Sequence, residues 1–175
     1  ITQILSDIFR YSISGNDVTT IREEINQVQR YLYIQKIRYK DKIAETIEID
    51  PEAENCLITK LLLQPIVENA IVHGISRSGE PGHLSIRVIP SDEETLTIEV
   101  ADNGQGMTED RLIEIRTRLK EADTQMLSTA QRGGNIGIAN VHRRIRYVFG
   151  EEYGLTIQSS PGRGTKVVLT IPKLT

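Results

Sequence analysis

The chain has 175 residues, of which 38% are hydrophobic and 26% are charged, a composition that suits one domain with a proper core. Its net charge of −3 predicts no nucleic-acid partner, because such a partner usually requires a basic patch. The single cysteine, Cys56, excludes a disulfide framework and a thiolate metal cluster. No apolar run approaches the ~20 residues of a membrane span. The first residue is isoleucine rather than methionine, so we expect a fragment of a longer protein.

Helical spacing covers most of the first 40 residues. Apolar side chains predict one helix over residues 1–14 and a second from Thr19 to Tyr39, with a turn between them. The second helix has acids near its start and cations near its end, as the helix dipole favours. Such a hairpin cannot bury its apolar stripes alone. It must pack on the following domain, on a missing segment or on another copy of the chain.

From Lys42 onward the pattern alternates between strands and helices. Period-two alternation predicts strands over residues 43–49, 83–89, 95–101, 155–159 and 165–171. Helical spacing predicts helices over residues 57–75, 108–122 and 137–149. Pro65 either kinks the first of these helices or marks its start. Because strands and helices do not alternate strictly, we predict an α+β two-layer sandwich, with helices covering one face of the sheet.

A carboxylate and two glycines follow the strand that ends near residue 101. The segment is Asp102-Asn103-Gly104-Gln105-Gly106-Met107. Glycine tolerates positive φ and lets a ligand approach the backbone closely. By itself, however, such a segment is also a good tight turn.

Three further segments carry polar or glycine-rich chemistry. They are Glu68-Asn69 in a predicted helix, the glycine-rich run 133–137 before another helix, and Gly164-Thr165 at the start of the last strand. Taken one by one, each has an ordinary reading as a surface amide, a loop or a hairpin turn. Residues 123–135 carry little apolar content and predict a mobile loop.

Together the four segments suit one ligand, a nucleotide. Asp102 supplies an acceptor for an exocyclic amine, and Gly104 and Gly106 permit close approach of the base. The run 133–137 can offer backbone N–H groups and a helix N-terminus to phosphates, with the preceding loop as a lid. Asn69 offers a side-chain oxygen to a magnesium ion, which keeps several waters when it binds phosphates.

The order of these motifs resembles the GHKL ATPase superfamily, which contains gyrase, Hsp90, MutL and histidine-kinase ATP-binding domains. The matching segments are QPIVENAIVHG (64–74), DNGQGM (102–107), GGNIGIANV (133–141) and GTKV (164–167). Within that group the chain resembles sensor histidine kinases of the autolysin-sensor (LytS-like) type. The segments behind this second resemblance are RYSIS (10–14), RYLYIQKIRY (30–39), LLLQPIVENAIVHG (61–74) and the stretch 137–150.

The resemblance implies a division of the chain and a Bergerat-type fold. Residues 1–41 would be the helical tail of a dimerisation and phosphotransfer region, and residues 42–175 would be the ATP-binding catalytic domain. The full protein would be a membrane-anchored homodimer, with this part facing the cytoplasm and a response regulator as its partner. Membrane contact would come only through missing upstream segments.

The resemblance also implies roles for individual residues. Asn69 would bind Mg²⁺, with Glu68 as a polar or proton-handling partner, and both would serve phosphotransfer from ATP. Asp102 and Thr165 would hold the adenine, in a pocket shaped by Gly104 and Gly106. The phosphate-contacting residues would be Gly133, Gly134, Asn135 and Gly137. His73 and Asn140 would lie near the phosphates, with a packing role as the alternative.

The chain departs from the superfamily pattern at two positions. Val72 stands where many histidine kinases have a lysine, so phosphate neutralisation would come from Arg132, Lys42 or a partner chain. Pro65 stands where gyrase-like members have an acid that activates water, which argues against hydrolysis as the main activity.

The three histidines also bear on activity. His73, His83 and His142 all fall outside the place expected for a phosphoacceptor, which in the resembled kinases lies upstream. The fragment would then bind ATP without phosphorylating itself. The alternative function is a GHKL switch or ATPase module that works without histidine phosphotransfer.

Overall fold

The computed structural model describes residues 17–40, 42–124 and 136–175. The strands are β1 Val18–Thr20, β2 Ile43–Ile49, β3 Leu57–Thr59, β4 Gly82–Pro90, β5 Thr95–Asp102, β6 Gly154–Ser159 and β7 Thr165–Pro172. The α-helices are α1 Ile21–Arg38, α2 Gln64–Asn69, α3 Ser76–Ser78, α4 Glu109–Thr124 and α5 Ile136–Phe149. A π-helical turn, Ala70–Ile75, joins α2 to α3.

Five strands form a mixed sheet in the order β2-β4-β5-β7-β6. The β2–β4 pair is parallel and the other pairs are antiparallel. Side chains alternate across β4: Leu84, Ile86 and Val88 are buried, whereas His83 and Arg87 are exposed. One face of the sheet therefore packs against the helices and the other faces solvent, which confirms the predicted α+β sandwich.

The predicted helix over residues 57–75 is wrong in its first part. Residues 57–59 form β3, which pairs antiparallel with β1 through Val18↔Thr59 and Thr20↔Leu57. The helix begins only at Gln64 and has Pro65 in its first turn. Proline fits there because its missing N–H would have no partner within the helix. Of the two alternatives for Pro65, the helix start is therefore the observed one.

Helix α1 packs its apolar stripe into the core, as its spacing predicts. Ile21, Ile25, Val28 and Leu32 are all buried, and α1 contacts α2 and β3. Its first turn is capped by the Thr20 hydroxyl, which accepts the Glu23 N–H at 3.2 Å. The other helix of the predicted hairpin, over residues 1–14, lies outside the described residues.

The remaining predicted elements are found close to their expected bounds. Strands β4 to β7 each begin and end within two residues of the alternating patterns. Helix α4 extends to residue 124, and residues 125–135 of the predicted loop lie outside the described part. In the part of the chain that the structure describes, no helix has both the length and the hydropathy that a membrane crossing needs.

Candidate nucleotide-binding site

A cavity of about 460 Å³ opens beside the end of β5, between the sheet and the helices. Five predicted site residues line it: Asn69, His73, Asp102, Gly106 and Thr165. They come from α2, the π turn, β5, the following loop and β7, so the fold collects residues that are far apart in sequence. The volume falls in the range of pockets that hold small molecules.

Asp102 is the last residue of β5 and pairs with Thr165 of β7 in the antiparallel register. Its side chain is buried, with only 8% of the residue exposed. Burial raises the pKa of Asp102 to about 6, while backbone N–H groups of Gly104 and Thr165 oppose this rise. Near pH 7 the group is therefore a buried carboxylate that faces a cavity, which suits recognition of a hydrogen-bond donor.

The loop after Asp102 packs tightly against the π turn. The Gly104 N–H donates to Asp102 Oδ1 at 2.8 Å. A β-carbon on Gly104 would lie 2.2 Å from the carbonyl carbon of Gly74, and one on Gly74 would lie 2.5 Å from Asp102 Oδ1. The Gln105 side chain donates to the His73 carbonyl at 2.9 Å. The segment is therefore a tightly packed wall of the cavity, and it leads from β5 into α4 rather than forming the turn of a hairpin.

Gly106 closes the same wall on its other side. Its φ is +66°, and a β-carbon there would lie 1.9 Å from the carbonyl oxygen of Ser160. The Gly162 N–H donates to the Gln105 carbonyl at 2.7 Å, so the 160–164 turn and the 103–106 loop are joined. Gly106 thus meets both requirements for glycine, a left-handed backbone and close approach.

Asn69 ends α2 at the opposite side of the cavity. Its Nδ2 donates to the Pro65 carbonyl at 2.7 Å, which fixes the amide plane. Within residues 17–40, 42–124 and 136–175, no group donates to its Oδ1. A β-carbon on Gly137 would lie 3.3 Å from Asn69 Nδ2, so the first turn of α5 approaches Asn69. Gly133, Gly134 and Asn135 lie outside the described residues.

Glu68 and His73 lie in different surroundings. Glu68 does not line the cavity. It accepts a hydrogen bond from Gln64 Nε2 at 2.9 Å. Burial, and to a smaller extent the Glu68 charge, raises the pKa of Tyr31 in α1. His73 lines the cavity, where burial and the guanidinium groups of Arg77 and Arg111 hold its pKa below the usual range.

Two cations in the cavity wall were not predicted from the sequence. Arg77 follows the π turn and Arg111 lies in the first turns of α4, and both line the cavity. Arg77 had a signal, because it stands four residues after His73 and eight after Asn69, on one helical face. That signal was missed because the helix was expected to end at residue 75. Arg111 gave no such signal, because only the packing of α4 brings it to the cavity.

The structure describes only one of the two cations expected from the sequence. Lys42 does not line the cavity, and its carbonyl accepts the Gly82 N–H at 2.8 Å. Arg132 lies outside the described residues. Six apolar side chains form much of the remaining wall, and a flat aromatic ring can pack against such a surface: Ile66, Ala70, Val100, Met107, Ile138 and Val167.

Comparison with known proteins identifies the family of the chain. A family profile described as histidine kinase-, DNA gyrase B- and HSP90-like ATPase matches residues 57–175, and a second, described as histidine kinase, matches residues 1–43. The chain therefore belongs to the histidine kinase-, DNA gyrase B- and HSP90-like ATPase family, and its family domain binds ATP.

Two curated relatives align with almost the whole chain. Sensor histidine kinase YesM of Bacillus subtilis is 38% identical over 156 residues, which are 89% of this chain and 24% of YesM. Sensor protein kinase HptS of Staphylococcus aureus is 34% identical over 173 residues, 98% of this chain and 32% of HptS. The chain thus spans 24% to 32% of the length of these relatives.

Solved structures share the fold at low identity. The nucleotide-free catalytic domain of histidine kinase ThkA aligns with a TM-score of 0.60 and 18% identity, covering 90% of this chain and 96% of that domain. ThkA in complex with the response regulator protein TrrA aligns with a TM-score of 0.57 and 20% identity, covering 98% and 47%. These matches establish the GHKL-type fold.

Proposed function

We propose that this chain is the ATP-binding catalytic part of a sensor histidine kinase of the autolysin-sensor (LytS-like) type. It would direct the γ-phosphoryl group of ATP to a histidine upstream, and the phosphate would pass on to a response regulator. The observation that carries this proposal is the single cavity shared by Asp102, Thr165 and Asn69. The relatives named sensor kinases and the motif order support it.

Adenine would occupy the Asp102 end of the cavity. A buried carboxylate can accept the exocyclic amine, and a neighbouring hydroxyl can complete the contact. The Thr165 hydroxyl shares a hydrogen bond of 2.9 Å with the Ser159 hydroxyl, which holds it beside the Asp102 backbone. The apolar wall would contact the faces of the base.

The phosphates and Mg²⁺ would occupy the Asn69 end. Asn69 fits this role because its amide plane is fixed and its Oδ1 receives no hydrogen bond from the described residues. Those residues contain no group of three or more His, Cys, Asp or Glu side chains that could hold a metal. A single protein oxygen agrees with the preference of Mg²⁺ for waters and phosphates. When bound, the ion would neutralise charge that develops on the transferred phosphoryl group.

Among the described residues that line the cavity, none is an acid placed to activate water for hydrolysis. This favours phosphotransfer. Asp102 is the one carboxylate among the described residues that line it, and it lies at the adenine end. Pro65 occupies the position of the water-activating acid and uses its carbonyl to orient Asn69. A GHKL switch or ATPase module that works without histidine phosphotransfer is the second candidate function. Steady ATP hydrolysis by the 175-residue chain would favour it.

The partners of the whole protein follow from the same proposal. ThkA has been solved in complex with a response regulator, which supports a regulator as the partner here. We also propose that the whole protein forms a homodimer through the upstream region. A membrane anchor would leave the part described above in the cytoplasm. The proposal also assigns residues 1–41 to the tail of the dimerisation and phosphotransfer region and residues 42–175 to the catalytic domain.

The kinase role is tested by labelling with γ-phosphate-labelled ATP and Mg²⁺. We expect no label on the 175-residue chain, and acid-labile, base-stable label on a longer chain that includes the upstream helix. Asn69→Ala in the longer chain should lower the labelling rate at least 100-fold, because the metal ligand is lost. Thr46→Ala, on the outer strand β2, is the control that should label normally. Normal labelling of the Asn69 variant would refute the assignment of Asn69.

The two cavity arginines should bind the triphosphate. We expect Arg77→Gln and Arg111→Gln each to weaken ATP binding roughly tenfold and to leave adenosine binding unchanged, because charge-assisted hydrogen bonds to phosphate are lost. Titration calorimetry with both ligands measures this difference. Arg87→Gln is the matched control, since Arg87 lies on the exposed sheet face beside Glu48. Equal weakening of ATP and adenosine would show that the arginines act through the fold.

A further inference from the structure

The turn before α2 has an unusual backbone. Leu61 has a φ of +58°, in the left-handed region that a leucine rarely adopts. Two residues later Leu63 is the N-cap of α2, and no side chain within α2 caps that end. A strained turn and an uncapped helix start both need support from elsewhere in the fold.

Glu24 of α1 supplies that support. Its Oε2 accepts the Leu61 N–H at 3.0 Å and its Oε1 accepts the Leu63 N–H at 3.0 Å. The residue is only 1% exposed, although a buried carboxylate is unfavourable unless hydrogen bonds satisfy it. One side chain in α1 therefore holds both the strained residue and the N-terminus of the helix that carries Asn69.

Helix α5 contacts the same turn from another side. The Arg144 guanidinium donates to the Lys60 carbonyl at 2.7 Å. The same helix carries Gly137, which approaches Asn69. The turn at residues 60–63 thus joins α1, α2 and α5.

A short series of hydrogen bonds leads from Glu24 to Asn69. Glu24 fixes the Leu63 N–H, and α2 begins one residue later. The first turn of α2 then presents the Pro65 carbonyl to Asn69 Nδ2 at 2.7 Å. A displacement of the α2 start relative to the end of the helix would therefore change the orientation of the Asn69 amide.

We propose that Glu24 is a positioning residue for the magnesium end of the site, through which the position of α1 acts on Asn69. The inference rests on the proposed role of Asn69 as the Mg²⁺ ligand. It assigns to α1 a function beyond packing, because a shift of this helix would withdraw the carboxylate from the turn. Groups that orient a metal ligand typically contribute on the order of tenfold or more to metal affinity.

The test compares ATP affinity with Mg²⁺ and with a chelator, in the 175-residue chain. Glu24→Gln keeps the shape of the side chain but replaces one acceptor oxygen with an NH₂ group, which cannot accept the backbone N–H. We expect the gain in affinity on adding Mg²⁺ to fall about tenfold, with affinity in the chelator unchanged. Glu23→Gln, an exposed neighbour on α1, should match the wild type.

A double-mutant cycle separates positioning from general stability. In an Asn69→Ala background, Glu24→Gln should have no further effect on the Mg²⁺ gain, because its route of action is gone. If Glu24→Gln does not fold, Arg144→Gln loosens the same turn from α5 and should lower the gain in the same direction. An unchanged gain in either folded variant overturns the inference. A wild type with no Mg²⁺ gain overturns the Asn69 assignment as well.

Discussion

Asp102→Asn is expected to weaken nucleotide binding strongly and, at neutral pH, to stabilise the ligand-free domain. The asparagine would keep the Gly104 hydrogen bond through its carbonyl oxygen and place an NH₂ group where the second carboxylate oxygen stands. That NH₂ group would face the exocyclic amine of adenine. Because both groups are hydrogen-bond donors, no hydrogen bond could form between them. A lost charge-assisted bond plus an unsatisfied donor should weaken ATP binding on the order of 100-fold.

The gain in stability follows from the pKa of Asp102. Burial raises it from 3.8 to about 6, so the folded state binds this proton more tightly than the unfolded state. Stability due to Asp102 is therefore present below pH 4 and is lost as pH rises through about 6. The loss amounts to roughly 2–3 kcal/mol at pH 7. A neutral asparagine avoids it, but weakening the hydrogen bond from the Thr165 N–H to the carboxylate would offset about 1 kcal/mol of that gain.

Urea unfolding at two pH values measures this effect. Asp102→Asn should raise the free energy of unfolding by about 1–3 kcal/mol at pH 7.5, and the difference should shrink as pH falls from 6 to 4. Asp92→Asn is the control, because Asp92 is exposed in a turn where backbone hydrogen bonds, chiefly from Glu94, lower its pKa. It should bind ATP normally. ATP binding by Asp102→Asn at wild-type affinity would refute the adenine assignment.

Gly106→Ala should lower both the stability of the domain and its ATP affinity, whereas Gly162→Ala should lower only the stability, through backbone strain. Both glycines have φ near +70°, at +66° and +71°, so both variants lose about 1 kcal/mol to left-handed strain. A β-carbon at Gly162 meets open space, but one at Gly106 would lie 1.9 Å from the Ser160 carbonyl oxygen. The pair therefore separates backbone strain from close packing.

The two variants differ further in their effect on the ligand. Gly106 lines the cavity, and its neighbour Gln105 bonds to both Gly162 and Gly74. Moving the loop away from Ser160 should therefore weaken ATP binding at least tenfold and lower the free energy of unfolding by more than about 2 kcal/mol. Calorimetric titration and thermal unfolding measure the two quantities. Equal losses in both variants would mean that close packing at Gly106 is unimportant.

The sequence predicted most of the fold because one face of the sheet is exposed. A strand with a solvent face must alternate, and the strands from β2 to β7 carry this signal, apart from the short β3. β3 was mistaken for helix because three residues hold no period of their own. The residues of its partner β1 are 37–41 positions earlier in the chain, so only tertiary pairing defines it.

The sequence by itself also determined which residue types stand at the site. A carboxylate after a strand and an amide on a helix are local facts, and Asp102 and Asn69 do face one cavity. The tertiary structure decided what local spacing could not. The π turn changes the helical register, the packing of α4 brings in Arg111, and Glu24 is buried because backbone N–H groups from a distant turn need an acceptor. The physical reason is that hydrophobic periodicity specifies which face of a helix or strand is buried. Long-range hydrogen bonds and charges specify which side chains come together at the site.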